Sequence, residues 1–225
     1  MLKWFFRLFM LVCCTFLAVQ LWVFTSLAYW RTNPVEFSMF MRLHYFEDSN
    51  NKIYHRWVDY DQISPQMRAA VIAAEDAQFV NHSGFDFDGM IQAIKRNGEE
   101  GEIVVGGSTI SQQLSKNLFL YPDRSYIRKG QEAIATWMME QMWPKKRILE
   151  VYLNSVEFGE NIYGVEAASL HYFGKSAKDL NRQQAIFLAS VLPNPKYYGK
   201  NQNDRSLKRK QRFISRNIVL VQVPS

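Results

Sequence analysis

A mainly α-helical domain behind one membrane-spanning helix is the architecture this sequence predicts, and three observations carry it. No charge occurs from Leu8 to Trp30. After Ser64, apolar residues recur at helical spacing, with caps and breakers where helices should start and stop. No internal repeat and no convincing strand-type alternation accompanies them. With 225 residues, the chain has room for one substantial domain plus an appendage. An apolar share of 48% against 21% charged excludes a disordered chain. The net charge of +6 suits nucleic acid, an anionic membrane surface or a phosphorylated substrate equally, so it decides nothing alone. Cys13 and Cys14 are adjacent inside the apolar run and cannot staple a core.

As a helix, Leu8–Trp30 would span about 34 Å, enough for a hydrocarbon core of ~30 Å with some tilt. Trp4, Tyr29 and Trp30 mark its ends as interfacial aromatics do. Lys3, Arg7 and the free amino terminus precede the run and Arg31 follows it, a bias toward a cytoplasmic N-terminus. A cleaved signal peptide is the rival reading. Its apolar region should be ~7–15 residues long and end in a small-x-small site, whereas bulky Tyr29 and Trp30 follow Ala28 here. The retained anchor is favoured, with everything after Arg31 outside the cytoplasm.

Four segments follow: 1–31, a cytoplasmic tip and membrane helix; 32–62, a loosely ordered membrane-proximal neck; 63–200, the main domain; and 201–225, a basic tail. In the neck, Phe37, Met39, Phe40, Met41 and Leu43 form an apolar cluster that either packs on the domain or enters the lipid interface. Ser64-Pro65 starts a helix whose buried face carries Met67, Ala70, Val71 and Ala74 and which ends near Glu75. A second helix is expected from about Asp88 to Asn97. The glycine-rich stretch 97–107 reads as a mobile loop over a site.

Thr109-x-x-Gln112 has capping-box form and opens a helix to about Leu120, with Ile110, Leu114 and Leu118 toward the core and Gln113 and Lys116 on another side. Further helices are expected over Ser125–Met142, Lys145–Asn154, Val165–Tyr172 and Arg182–Leu192. The tail sets Lys200, Arg205, Lys208, Arg209, Lys210, Arg212 and Arg216 against Asp204, most simply as a solvated helix face. The apolar end, Ile218 to Val223, has no explanation from sequence.

Chemistry concentrates in three patterned segments. Glu75 falls at a helix C-terminus, where a carboxylate meets the negative end of the helix dipole and so gains nothing for stability. A base that must reach a substrate hydroxyl is one reason to place it there. Asp76 and His82 read as structural, and no His-x-x-x-His or similar spacing suggests a metal site. Arg124, Arg128 and Glu132, four residues apart, stack on one helical face beside Lys129. Alone these would be a surface ion-pair ladder. Together with Lys116 and the Gln112-Gln113 pair behind Gly106-Gly107, they suggest cations converging on a phosphate or pyrophosphate.

These segments resemble the biosynthetic peptidoglycan glycosyltransferases of bacteria, the family that also forms the transferase domain of bifunctional penicillin-binding proteins. The resemblance rests on Glu75-Asp76-x-x-Phe79-x-x-His82-x-Gly84, Gly106-Gly107-Ser108-Thr109-Ile110-x-Gln112-Gln113-x-x-Lys116-Asn117 and Arg128-Lys129-x-x-Glu132. It continues through Ile148-Leu149-Glu150-x-Tyr152-Leu153-Asn154, and through Tyr163-Gly164-x-Glu166-Ala167-Ala168 ahead of Tyr172-Phe173-Gly174. Ser111 and Gln184 depart from the family's usual threonine and glutamate. The basic tail lies outside the resemblance, and the length left after Leu192 suggests the monofunctional, membrane-anchored type.

The resemblance implies a lysozyme-like helical fold and polymerisation of lipid II by attack of its 4-hydroxyl on a chain activated by undecaprenyl pyrophosphate. It implies Glu75 as general base and Glu132 as the second glutamate. It implies Lys116, Arg124, Arg128 and Lys129 around the pyrophosphate, with Gln112, Gln113 and Asn154 lining or bracing the cleft. Mg2+ or Mn2+ would come with the pyrophosphate rather than sit in a protein cage. Expected partners are lipid II, the growing glycan, membrane lipids and other cell wall synthesis and division proteins, not nucleic acid. The bacterial inner membrane, with a periplasmic catalytic domain, is the expected location. A peptidoglycan hydrolase or lytic transglycosylase of the same fold is the rival. The cations argue against it, because expelling pyrophosphate needs positive charge rather than a protonated carboxyl.

Overall fold

A computed structural model describes residues 2–47, 52–89, 91, 107–123 and 125–225. Helix α1 (Leu2–Trp30) is long and apolar enough to cross a membrane, and most of its surface is exposed. Its C-terminal half is nevertheless docked on the domain. Val23 and Leu27 are fully buried, and Trp22 and Trp30 pack on the Phe119 ring with centroids 5.4 and 5.7 Å away. The Trp143 indole N–H donates to the Leu27 carbonyl at 2.8 Å, and the Arg147 guanidinium donates twice to the Trp30 carbonyl. Those carbonyls belong to the last turn of α1, so the domain itself caps the anchor.

The neck is more ordered than the sequence suggests. Ser38 accepts from the Met41 amide and starts helix α2 (Met39–Glu47). Met41 is fully buried, so the apolar cluster packs on the domain at that residue, while Phe37, Tyr45 and Phe46 stay exposed.

Helix α3 (Pro65–Glu75) begins as expected. The Ser64 hydroxyl accepts from the Met67 amide, Pro65 takes the first helical position, and Met67, Ala70, Val71 and Ala74 are buried. Residues 87–89 are helical; the rest of the expected 88–97 helix, apart from residue 91, lies outside the described residues. So does the 97–107 stretch apart from Gly107.

Helix α4 (Ile110–Phe119) opens with a complete capping box between Thr109 and Gln112. Helices α5 (Tyr126–Met142), α6 (Lys145–Ser155), α7 (Val165–Phe173) and α8 (Arg182–Val191) match the expected segments to within a residue or two. Gln184 closes a second capping box with Asn181, a task that glutamine and glutamate both perform. The Ser111 hydroxyl donates to Glu140, so the departure from threonine keeps the donor.

Sequence reading did not anticipate the small sheet: β1 (Tyr54–His55), β2 (Glu157–Gly159) and β3 (Ile162–Tyr163), in the order β1-β3-β2, with β1–β3 parallel and β2–β3 antiparallel. Strands of two or three residues are too short to display alternation. Gly164, at φ +82°, follows β3, and a Cβ there would meet the Asn154 carbonyl at 2.8 Å, so only glycine lets the sheet close on α6.

The basic tail is part of the domain rather than a solvated appendage. After the short α9 (Pro195–Lys200), Asp204 caps helix α10 (Arg205–Asn217), which lies against α3 and α8. Leu207, Ile214 and Ile218 enter the common core, and Val221 and Val223 pack beside it. The chain end is tied down where the Tyr60 hydroxyl donates to the Pro224 carbonyl. In the apolar terminal run, Ile218, Val221 and Val223 therefore cover the core, while Val219 and Leu220 stay exposed.

Candidate functional site

Glu75, the last residue of α3, is held from two sides. Its Oε1 lies 2.8 Å from the Lys210 ammonium of α10, and its Oε2 accepts from the Gln113 amide of α4 at 3.0 Å. Gln113 is itself oriented by the buried Tyr152 hydroxyl, which donates to its Oε1 at 3.0 Å. Burial pushes the Tyr152 phenol well above its ordinary pKa, with the Glu75 and Asp76 charges adding to the effect, so it stays a donor. The pairs Glu75–Lys210 and Glu75–Gln113 join three helices at one carboxylate.

Asp76, next in sequence, is structural in a wider sense than a cap on its own turn. Its carboxylate accepts from the Ile110 amide at 3.0 Å and lies 2.9 Å from His82 Nε2. The Thr109 hydroxyl adds a bond to the Gly84 carbonyl at 2.7 Å. Gly84, at φ +92°, sits so close to α5 that a Cβ would meet Thr136 Cγ2 at 2.9 Å. This knot pins the start of α4, and with it Gln113 and Lys116, to the end of α3.

Glu132 is buried on α5 and paired within its own helix. Arg128 Nη1 donates to Oε2 at 2.8 Å, and Lys129 Nζ donates to Oε1. The Arg128 Nε is buried without a partner. Lys116 stands between the two glutamates electrostatically. Burial lowers its pKa below the ordinary lysine value, with Arg128 and Lys129 lowering it further while Glu132 and Glu75 raise it. Its ammonium also lies 5.9 Å from the Phe40 ring centroid of α2. Arg128 and Lys129 thus contact Glu132 directly while Lys116 feels the charge of all three, an excess of positive charge that suits a polyanion. Helix α5 starts at Tyr126 after its cap Ser125; Arg124 lies outside the described residues.

Two residues grouped with the substrate contacts are placed otherwise. Gln112 is buried, and its amide oxygen accepts from the Thr109 backbone, so it caps α4. Asn154 is fully buried; it exchanges two bonds with the Val58 backbone and donates to the Glu150 carbonyl. It braces the chain around β1 and offers no free polar atom to a ligand. Both lie in the motifs that carry the family resemblance, which is why the sequence groups them with Gln113.

Lys210 and Tyr152 were missed. A signal for Lys210 existed: Leu207, Lys210 and Ile214 are spaced three and four apart, which puts the lysine on the buried stripe of α10.

Beside this cluster, a groove of about 620 Å³ runs between α1 and the 119–131 segment. Leu11, Val12, Phe16, Val19, Leu120 and Ile127 line it, and Arg128 and Gln131 stand in its wall. Gln131 also joins α5 to the anchor through Gln20, at 2.9 Å.

Among the described residues no group of three His, Cys, Asp or Glu side chains is placed to hold a metal ion.

Comparison with known proteins bears on the family of the chain. A family model described as Transglycosylase matches residues 42–219, a span that takes in most of α2 and the whole of α10. The chain is 57% identical over 218 residues to a biosynthetic peptidoglycan transglycosylase of Acinetobacter baumannii, covering 97% of each. It is 60% identical over 208 residues to a protein of that name from Acinetobacter baylyi, covering 92% of this chain and 93% of the relative. With another of that name, from Nitrosospira multiformis, it shares 43% identity over 226 residues, covering 99% and 98%.

Proposed function

We infer, from the premise that the chain belongs to the transglycosylase family, that it is a peptidoglycan glycosyltransferase polymerising lipid II into glycan strands for the bacterial cell wall. The observation that carries the reading is the pairing of one carboxylate held between helices, Glu75, with a separate surplus of cations around Glu132. Glu75 takes the proton from the 4-hydroxyl of the incoming lipid II. That oxygen bonds to the anomeric carbon of the growing chain as the bond to undecaprenyl pyrophosphate breaks. Lys116, Arg128 and Lys129 stabilise the charge on the departing pyrophosphate, and Glu132 keeps Arg128 and Lys129 aimed. Arg124 belongs to the same group by its motif position.

The groove beside α1 supports a lipid-linked substrate, because its apolar walls lead from Arg128 along the membrane anchor. Mg2+ or Mn2+ would arrive with the pyrophosphate, since the described side chains offer no cage, and no step above depends on it. The anchor is single-pass; the charge bias at its ends supports a cytoplasmic N-terminus and a periplasmic domain at the inner membrane. Hydrolysis is disfavoured by the same geometry. Both carboxylates are ion-paired with cations, so neither is presented as the proton donor that cleavage of an ordinary glycosidic bond needs.

Incubation of the full chain with labelled lipid II, with and without muramidase, tests the reading. High-molecular-weight product that muramidase degrades is the expected result. Shortening of pre-made glycan with no product from lipid II would overturn it.

A further inference from the structure

Helix α10 brings a lysine to Glu75 from 135 residues away in sequence. We propose that Lys210 is a positioning residue for the Glu75 base, one half of a clamp whose other half is Gln113. The inference rests on the reading of Glu75 as the base and adds to it a residue from outside the recognised motifs.

Three features of the contact argue for this role. The clamp is complete at both oxygens: Lys210 holds Oε1 at 2.8 Å and Gln113 holds Oε2 at 3.0 Å. Because the Tyr152 hydroxyl donates to the Gln113 carbonyl oxygen, the glutamine can only present its N–H to Glu75. A carboxylate accepts about four hydrogen bonds, so each oxygen keeps a lone pair for a substrate hydroxyl. The pair is also sheltered, with side-chain exposures of 12% for Lys210 and 9% for Glu75. A sheltered ion pair is a poor source of stability, because desolvating two charges offsets most of their attraction. Finally, α10 does not need Lys210 as a fastening. Leu207 and Ile214 are fully buried, Ile218 nearly so, and Arg182 donates to the Ser215 carbonyl at 2.8 Å.

With the ammonium in place, Glu75 is fixed in rotation and faces a cation while it awaits the hydroxyl. Without it, the carboxylate at the end of α3 is held by one amide only and can swing. The expected loss is therefore in turnover rather than in substrate binding, since the pyrophosphate contacts lie on α4 and α5.

The test measures kcat and KM for lipid II polymerisation by the full-length chain in detergent, alongside the melting temperature. Lys210→Met is expected to lower kcat about tenfold or more while KM stays within about twofold, and Lys210→Arg to recover most of the turnover. Leu207→Ala, which loosens α10 but keeps the amine, controls for packing. It should lower the melting temperature with little effect on kcat. Wild-type turnover in Lys210→Met overturns the proposal, as does a Leu207→Ala variant that reproduces its kcat loss at equal stability, or a Lys210→Arg variant as slow as Lys210→Met. Glu75→Gln run in parallel separates the two readings. If it is inactive while Lys210→Met is normal, only the role of Lys210 fails; if it is fully active, the assignment of Glu75 as base fails first.

Discussion

The two glutamates are held by opposite means. Glu132 takes both its partners, Arg128 and Lys129, from the preceding turn of its own helix. Glu75 takes one from α4 and another from α10, near the far end of the chain. A carboxylate fixed by its own helix moves only with that helix, so Glu132 and its cations behave as one preassembled unit for an anionic group. A carboxylate fixed from three helices depends on the whole domain being folded. On the proposed reading, the acceptor side is thus coupled to global structure, while most of the leaving-group side is built into α5, with Lys116 added from α4.

The largest expected effect sets the comparison directly. Glu75→Gln should cost about 10²–10⁴ in kcat for glycan synthesis, the usual range for a removed acid–base group. Glu132→Gln should cost less, roughly 10–100-fold, because it misaims cations without removing them. A greater loss for Glu132→Gln, measured on the same lipid II preparation, would invert the assignment of roles.

Next in size, Lys116→Ala and Arg128→Ala should each weaken lipid II binding by about tenfold, in line with the loss of one charge-assisted contact. Wild-type KM and rate in both variants would remove the pyrophosphate cradle from the account.

Gln20→Leu asks whether Glu132 is as locally held as its partners suggest. It breaks the 2.9 Å bond between the anchor and Gln131 on α5, and such bonds between apolar helices contribute only about 0.6 kcal/mol. Activity within about twofold of wild type is expected; a collapse of activity would mean that the anchor, not the helix, sets Glu132.

The smallest effect on catalysis is expected at Glu157, whose partners are tied to neither glutamate. Burial raises its pKa from 4.5 to about 7, with Lys196 and the Asn161 backbone opposing the shift. The folded state therefore holds a proton that the unfolded state has released between about pH 4.5 and 7. Glu157 favours folding at the acid end of that window and loses this contribution as pH rises through 7. Glu157→Gln does not titrate, so its stability relative to wild type should grow by roughly 1–3 kcal/mol from pH 5 to pH 8, with little change in turnover. Denaturant melts at the two pH values measure it; a stability difference independent of pH would contradict the shift.

Sequence by itself determined what is short-range. The charge-free run made the anchor, Ser64-Pro65 and the Thr109–Gln112 box started their helices, and the four-residue spacing placed Arg128 on Glu132, because caps and i,i+4 pairs close within one turn. Only the tertiary structure decided the rest. It made Gln112 and Asn154 internal braces rather than cleft lining, gave Asp76 the task of pinning α4, and docked the anchor on Phe119 and Trp143. It also turned the basic tail into the helix that presents Lys210 to Glu75. Those outcomes depend on which buried polar atoms find partners across the core, and such partners are set by packing between helices far apart in the chain rather than by any pattern within one of them.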